Sequence, residues 1–149
     1  VRGIQGSLIP VVFISIVVGY GTAVQATPVF GWLVEQVLSL DMNPYLLTFV
    51  AVNLLAGMTA NGTGGVTLFM ENFGATILGN PAINVGALHR IAAISGAGFD
   101  SLPHNGAIAF QLSVFKLSYK DGYFQQFMMS VLVNLLAGLL AVLMAVVLF

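Results

Sequence analysis

Charge is scarce in this sequence. Only 6% of its 149 residues are Asp, Glu, Lys or Arg, whereas 58% are hydrophobic, and the mean hydropathy is +1.00. A soluble globular domain carries about 25% charged residues, which it needs to cover a surface that faces water. The composition therefore indicates an integral membrane protein.

Cysteine is absent, and only four residues are basic. The lack of cysteine excludes disulfides and thiolate metal sites. The net charge of −1 argues against a nucleic-acid partner, which requires a basic face. The sequence starts with Val and shows no signal-peptide cleavage pattern, so we interpret it as part of a longer chain.

Apolar runs and their interruptions predict an all-α, polytopic fold in a single membrane-embedded domain, 1–149. The predicted elements are a transmembrane helix at 8–26, an amphipathic or connecting helix at 29–40, a re-entrant hairpin at 45–78, a broken transmembrane helix at 90–117 and a last transmembrane helix at 123–149. Lys116 and Lys120 flank one short loop, which the positive-inside rule places in the cytoplasm, with the C-terminus outside.

The hairpin is predicted from a long apolar run, 45–78, that contains no Lys or Arg. As one helix it would be about 51 Å long, whereas the hydrocarbon core of a bilayer is about 30 Å thick. Its middle contains TANGTGG, 59–65, which disfavours a continuous helix. Two short arms, 45–57 and 66–78, joined by this glycine-rich stretch are therefore expected.

The glycine-rich stretch has groups that suit an anionic solute. The N-terminus of the second arm directs free N–H groups and partial positive charge at a ligand. Its glycines allow positive φ and let the backbone approach a ligand closely. The candidate substrate-binding residues here are Asn61, Gly62, Thr63, Gly64 and Gly65.

A second polar stretch, DSLPHNG at 100–106, interrupts the next apolar segment. Pro103 stops the helical hydrogen-bond ladder. His104 can gain a proton near neutral pH, and Asp100 is the acid closest to it in sequence, so the two are candidates for proton coupling. Glu71, on the second hairpin arm, is a third candidate. The candidate substrate-binding residues of this stretch are Ser101, His104, Asn105 and Gly106.

Each ionisable candidate has a structural alternative. His104 could be a packing residue, Asp100 could be a helix N-cap, and Glu71 could face the wet end of its arm. An enzyme is not expected, because the sequence has no G-x-S-x-G elbow, no H-E-x-x-H pair and no P-loop lysine. For the same reason, neither a metal nor a cofactor is expected. Two polar breaks between short apolar helices are instead typical of a transporter's substrate site.

Three stretches resemble the gluconate permease (GntP) family: LHRIAAISGAGFDSLPHNGAI at 88–108, VNLLAGMTANGTGG at 52–65 and GYGTAVQATPVFGWLVE at 19–35. The resemblance implies a proton-coupled transporter of gluconate or related hydroxy acids in the bacterial cytoplasmic (inner) membrane, in contact with lipid. It further implies one of two inverted repeats of an elevator-type transporter, the C-terminal portion of a chain that acts as a homodimer.

This sequence departs from the family pattern at the glycine-rich stretch. Where the family commonly has Ser-Ala-Ser-Gly-Gly, residues 61–65 read Asn-Gly-Thr-Gly-Gly, which replaces two hydroxyls by one hydroxyl and an amide. Another small organic acid is therefore an open alternative to gluconate. Sodium-coupled carboxylate transport and a non-transporting membrane subunit or fragment also remain as alternatives. A single repeat would leave half the site open, so transport by the isolated chain is not expected.

Overall fold

The computed structural model describes residues 2–149, except for the side chains of residues 2–7, 9, 10, 13, 14, 17, 18 and 38. The described residues form helices and turns without a strand, so the predicted all-α class is confirmed. The helices are α1 (Arg2–Gln25), α2 (Pro28–Leu38), α3 (Pro44–Thr59), α4 (Gly62–Leu78), α5 (Val85–Gly96), α6 (Gly106–Val114), α7 (Tyr119–Gln126) and α8 (Val133–Leu148). A 3₁₀ turn, Phe99–Ser101, separates α5 from α6, and a π-helical segment, Phe127–Leu132, joins α7 to α8.

Asparagine begins four consecutive helices, α3 to α6. In each case the side-chain oxygen accepts a hydrogen bond from a backbone N–H of the first turn, which satisfies a donor that the helix itself leaves unpaired. The capping residues are Asn43, Asn61, Asn84 and Asn105. Helix α2 begins instead with Thr27 as the cap and Pro28 in the first turn, where proline is tolerated.

Helices α3 and α4 form a helical hairpin with a two-residue connection, which we call the hairpin tip (residues 60 and 61). With 16 and 17 residues, the arms are about 24 and 26 Å long, each shorter than the roughly 30 Å hydrocarbon core of a bilayer. The predicted glycine-rich connection, 59–65, is therefore shorter than expected, because residues 62–65 already belong to the first turn of α4.

The core lies where α3 packs between α4, α5 and α8. Val52 on α3 and Ile91 on α5 are both buried in this core, and the rings of Phe69 and Phe73 stack on α4 with their centroids 5.2 Å apart. Gly138 lets α8 approach closely, because a Cβ there would lie 2.5 Å from the ring of Phe49. The hairpin is thus the centre of the fold and not a peripheral loop.

The two helices on either side of the second polar stretch do not join into one. Helix α5 starts at Val85, five residues before the predicted start, so His89 and Arg90 lie in its second turn. Helix α6 ends at Val114. Between them lies the broken segment (residues 97–105), whose backbone includes only a short 3₁₀ turn.

Helix α7, the π-helical segment and α8 form one continuous helix, Tyr119–Leu148, which we call the final helix. Among the residues that the structure describes, it is the one helix long and apolar enough to cross a membrane, with a mean hydropathy of 2.8 in its most apolar window. Only 22% of that window is buried, and side chains such as Leu140 and Val147 point outward. Exposed apolar surface of this extent suits lipid contact.

Candidate functional site

The hairpin tip begins with a left-handed residue. Ala60 has φ 50°, a conformation that is unusual for a residue with a Cβ and that ends α3. Asn61 then starts α4, and its side-chain oxygen accepts a hydrogen bond from the Gly64 N–H at 3.2 Å. Thr59 donates its hydroxyl hydrogen to the Leu55 carbonyl at 2.8 Å, within its own helix. The connection is therefore a closed turn, held by its own side chains.

The glycines next to the tip serve close packing. Glycine permits positive φ, but none of the glycines in the described part of the chain adopts it. A Cβ on Gly62 would instead overlap the Gly96 carbonyl oxygen, and a Cβ on Gly65 would lie 2.5 Å from the Ala56 backbone. Glycine is needed at these two positions because α4 presses its first turn against α5 and α3.

The broken segment ends at Asn105, which makes hydrogen bonds in three directions. Its side-chain oxygen accepts from the Ala107 N–H at 2.6 Å and so caps α6. Its side-chain nitrogen donates to the carbonyls of Asp100, within the segment, and of Ala60, at the hairpin tip. Both amide hydrogens of this buried side chain are therefore used by the protein itself.

Two further hydrogen bonds join the broken segment to α3. The His104 ring nitrogen Nε2 lies 2.7 Å from the Gly57 carbonyl oxygen. Because a carbonyl oxygen only accepts, Nε2 must carry the hydrogen in this contact. The backbone N–H of Phe99 donates to the Asn53 side-chain oxygen at 3.3 Å. The two polar breaks predicted from separate parts of the sequence thus meet in space.

An open groove of about 390 Å³ lies between the first turn of α4, the last turn of α5 and the broken segment. Its volume falls in the range of small-molecule sites, about 300–1,000 Å³. The residues that line it are Gly62, Thr63, Val66, Ala93, Gly96, Ala97 and Asp100. Its walls are mostly small, apolar residues, and polar atoms contribute the smaller part of its surface.

The groove brings charges of both signs together. The N-terminus of α4 carries partial positive charge, and the N–H groups of Gly62 and Thr63 belong to the first turn, where the helix supplies no carbonyl partner. Opposite them lies the Asp100 carboxylate, which accepts the Ser101 hydroxyl hydrogen at 2.9 Å. One Asp100 oxygen would lie 3.0 Å from a Cβ on Gly62. The groove can therefore offer N–H donors and a carboxylate acceptor to one bound molecule.

The sequence-predicted residues divide between the groove and its surroundings. Three of them, Gly62, Thr63 and Asp100, line the groove. The other neighbours support it: Asn61 and Gly64 form the capped turn, Gly65 packs on α3, Ser101 holds the carboxylate, His104 and Asn105 join the two breaks, and Gly106 begins α6.

The three ionisable candidates lie in different places. Asp100 lines the groove, whereas His104 contacts the Gly57 carbonyl and packs against the Tyr20 ring, with the centroids 6.2 Å apart. Asp100 and His104 therefore have different hydrogen-bond partners, Ser101 and the Gly57 carbonyl. Glu71 is exposed on α4, nine residues beyond Gly62, or about 13 Å along the helix axis.

The sequence did not predict the part of the groove that Ala93 and Gly96 on α5, Ala97 at the start of the broken segment and Val66 on α4 form. The available signal was the run AAISGAG, 92–98, whose small side chains allow another backbone to come close. Among the described residues, no group of three or more His, Cys, Asp or Glu side chains is placed to hold a metal ion.

These observations define a helical protein with a broken helix, a helical hairpin and an outward apolar face, which supports a membrane location. The chain is 28% identical over 125 residues to the uncharacterized transporter YxjC of Bacillus subtilis (strain 168), and the similarity supports a transporter. The matched region covers 82% of this chain but 26% of that protein, so the chain spans about a quarter of its relative's length. No family model and no solved structure matches the chain.

Proposed function

We propose that the chain is the substrate-binding part of a secondary active transporter for a small organic acid, with gluconate-like hydroxy acids as the leading substrates. The observation that supports this most is the contact between the hairpin tip and the broken segment beside an open groove. Irregular backbone at membrane depth persists where it lines a cavity or is buried in protein, and paired breaks of this kind mark transporter sites.

In this proposal the acid lies in the groove with its carboxylate toward the start of α4. The N–H groups of Gly62 and Thr63 and the Thr63 hydroxyl donate to it, and the helix dipole favours its negative charge. A substrate hydroxyl can donate to the Asp100 carboxylate. The start of α4 then supplies hydrogen-bond donors and Asp100 supplies the acceptor. This arrangement suits a molecule that carries both a carboxylate and a hydroxyl.

Asp100 is the proposed proton-coupling residue. It is the ionisable side chain that lines the groove, and its negative charge would oppose an anion bound beside it. A proton on Asp100 removes that repulsion, so proton and substrate would bind together. His104 keeps its hydrogen bond to Gly57 in either charge state, because Nε2 carries a hydrogen in both. Its proposed role is therefore structural.

The test compares Asp100→Asn with Glu71→Gln in the full-length protein reconstituted in liposomes. Both changes remove one carboxylate, but only Asp100 lies in the groove. We expect Asp100→Asn to lose accumulation of labelled gluconate driven by a pH gradient while it still exchanges gluconate across the membrane. Glu71→Gln should behave as the wild type. Intact proton-driven accumulation in Asp100→Asn would refute the assignment.

Sodium coupling is the second candidate, and one observation favours it. The Gly96 carbonyl oxygen and an Asp100 carboxylate oxygen both lie within 3.0 Å of the position that a Cβ on Gly62 would occupy, and oxygen ligands of this kind suit a hard cation. Sodium-dependent uptake without a pH gradient would support this candidate over proton coupling.

The larger architecture is part of the same proposal. The hairpin would be re-entrant, since neither arm spans the hydrocarbon core, and the chain would form one repeat of an elevator-type homodimer in the bacterial cytoplasmic (inner) membrane. The connection between α6 and α7 would face the cytoplasm; it is shorter than the predicted 116–122 loop, because residues from Tyr119 onward belong to α7. Cysteine-accessibility labelling of Lys116→Cys and Asn61→Cys in whole cells tests the orientation of the loop and the depth of the tip.

A further inference from the structure

The final helix contacts the broken segment through three side-chain donors. The Tyr119 hydroxyl donates to the Pro103 carbonyl at 3.0 Å, and the Tyr123 hydroxyl donates to the Ser101 carbonyl at 3.2 Å. The Asn134 side-chain nitrogen donates to the Ala97 carbonyl at 3.2 Å. These contacts join positions 16 to 37 residues apart in sequence, so they are tertiary contacts and not local turns.

The broken segment needs donors of this kind. Outside a regular helix its carbonyls lack the partners that a helical ladder supplies, and within a membrane water is not freely available to replace them. The three accepting carbonyls lie on both sides of Asp100 along the chain. Ala97 and Asp100 also line the groove, so whatever holds this backbone also holds one wall of the groove.

The donors are themselves held in place. The rings of Tyr119 and Tyr123 lie 5.8 Å apart between centroids, and Tyr123 lies 6.1 Å from Phe127, the first residue of the π-helical segment. The Asn134 side chain also donates to the Ser130 carbonyl at 2.6 Å. Because these side chains are already ordered, they lose little conformational entropy when they donate to the broken segment, and this favours the three hydrogen bonds.

We propose that Tyr119, Tyr123 and Asn134 are positioning residues that hold the broken segment in the conformation that places Asp100 in the groove. All three lie outside the groove lining and act through the backbone they bind. The proposal rests on the proposed function for its effect on transport. Its effect on the backbone is independent of any substrate and can be measured separately.

The first experiment measures amide hydrogen exchange across residues 97–105 in the full-length protein. Tyr119→Phe/Tyr123→Phe removes two hydroxyls and keeps both rings, and Asn134→Leu removes the amide. We expect each variant to exchange on the order of ten-fold faster than the wild type in this segment, because weakened contacts raise the population of locally open states. Unchanged exchange in both variants would overturn the proposal.

Tyr45→Phe is the matched control. It also removes one tyrosine hydroxyl, which accepts from the Asn84 N–H at 2.9 Å, but it does so at the end of α3 remote from the hairpin tip. We expect it to lower thermal stability without faster exchange in 97–105. Equal acceleration in the control would show a general loosening of the protein and would overturn a specific role for the final helix.

The second experiment measures gluconate uptake by the same variants. If only the competent conformation binds substrate, KM rises by the factor by which the fraction of that conformation falls, and the maximal rate stays unchanged. Exchange protection gives that fraction, so a KM that departs from the value calculated from it would overturn the positioning role. If the wild-type protein takes up no gluconate, the proposed substrate has failed, and the exchange measurement alone then decides whether the final helix holds the segment.

Discussion

The Asn105 side chain donates a hydrogen bond to the Ala60 carbonyl oxygen, 45 residues earlier in the chain, at 3.0 Å. Ala60 is the left-handed residue of the hairpin tip, and Asn105 is the last residue of the broken segment. One amide group therefore connects the two irregular stretches and, through its oxygen, also begins α6. The groove lies beside this connection, so its shape depends on residues that do not line it.

The role of Asn105 predicts a result that a simple ligand contact would not. Asn105→Asp keeps an oxygen to cap α6 but places a second oxygen against the carbonyls of Ala60 and Asp100. We expect it to destabilise the full-length protein by about 2–3 kcal/mol in thermal unfolding and to raise KM. Asn43→Asp makes the same change at an exposed cap, so its expected effect is within about 0.5 kcal/mol. Equal stability of the two variants would contradict the proposed role of Asn105 in connecting the hairpin tip to the broken segment.

Gly62 should not tolerate a methyl group. In Gly62→Ala the new Cβ overlaps the Gly96 carbonyl, so α4 must move away from α5 and the groove must change shape. We expect uptake to fall by about ten-fold or more, in line with the cost of overpacking a close contact. Gly31→Ala is the control, because a Cβ on Gly31 meets no atom within 4 Å, and its uptake should be unchanged. Normal uptake by Gly62→Ala would show that this contact is absent in the membrane.

His104 is expected to act as a hydrogen-bond donor and not as a proton carrier. His104→Gln supplies an N–H for the Gly57 carbonyl but cannot titrate, whereas His104→Leu supplies neither. We expect proton-driven uptake to persist in His104→Gln and to fall by roughly five-fold in His104→Leu, the loss of about one hydrogen bond. If His104→Gln lost proton dependence while it still exchanged substrate, the coupling role would belong to His104.

The positions of both breaks could be predicted from the sequence. Glycine and polar residues inside long apolar runs disfavour a continuous helix, and an interruption lies within each of TANGTGG and DSLPHNG, although residues 62–65 are helical. The cap at Asn105 was missed for a related reason: the stretch held several polar residues, and the local pattern did not show that Asn105 and not Asp100 starts the helix.

Tertiary contacts set the features that the sequence did not predict. The left-handed residue is Ala60 although three glycines lie close by, because those near α5 and α3 are needed for packing. The hydrogen-bond partner of His104 is the Gly57 carbonyl, 47 residues away in sequence. Likewise, nothing in the sequence near Tyr123 indicates that its hydroxyl reaches Ser101.

Uptake of labelled gluconate into liposomes that contain the full-length protein tests the central claim most directly. An outside-acid pH gradient would be imposed with sodium absent. The account predicts accumulation above equilibrium that collapses when a protonophore is added. Uptake that requires sodium and ignores the pH gradient would contradict proton coupling, and failure to accumulate gluconate under either condition would contradict the proposed substrate.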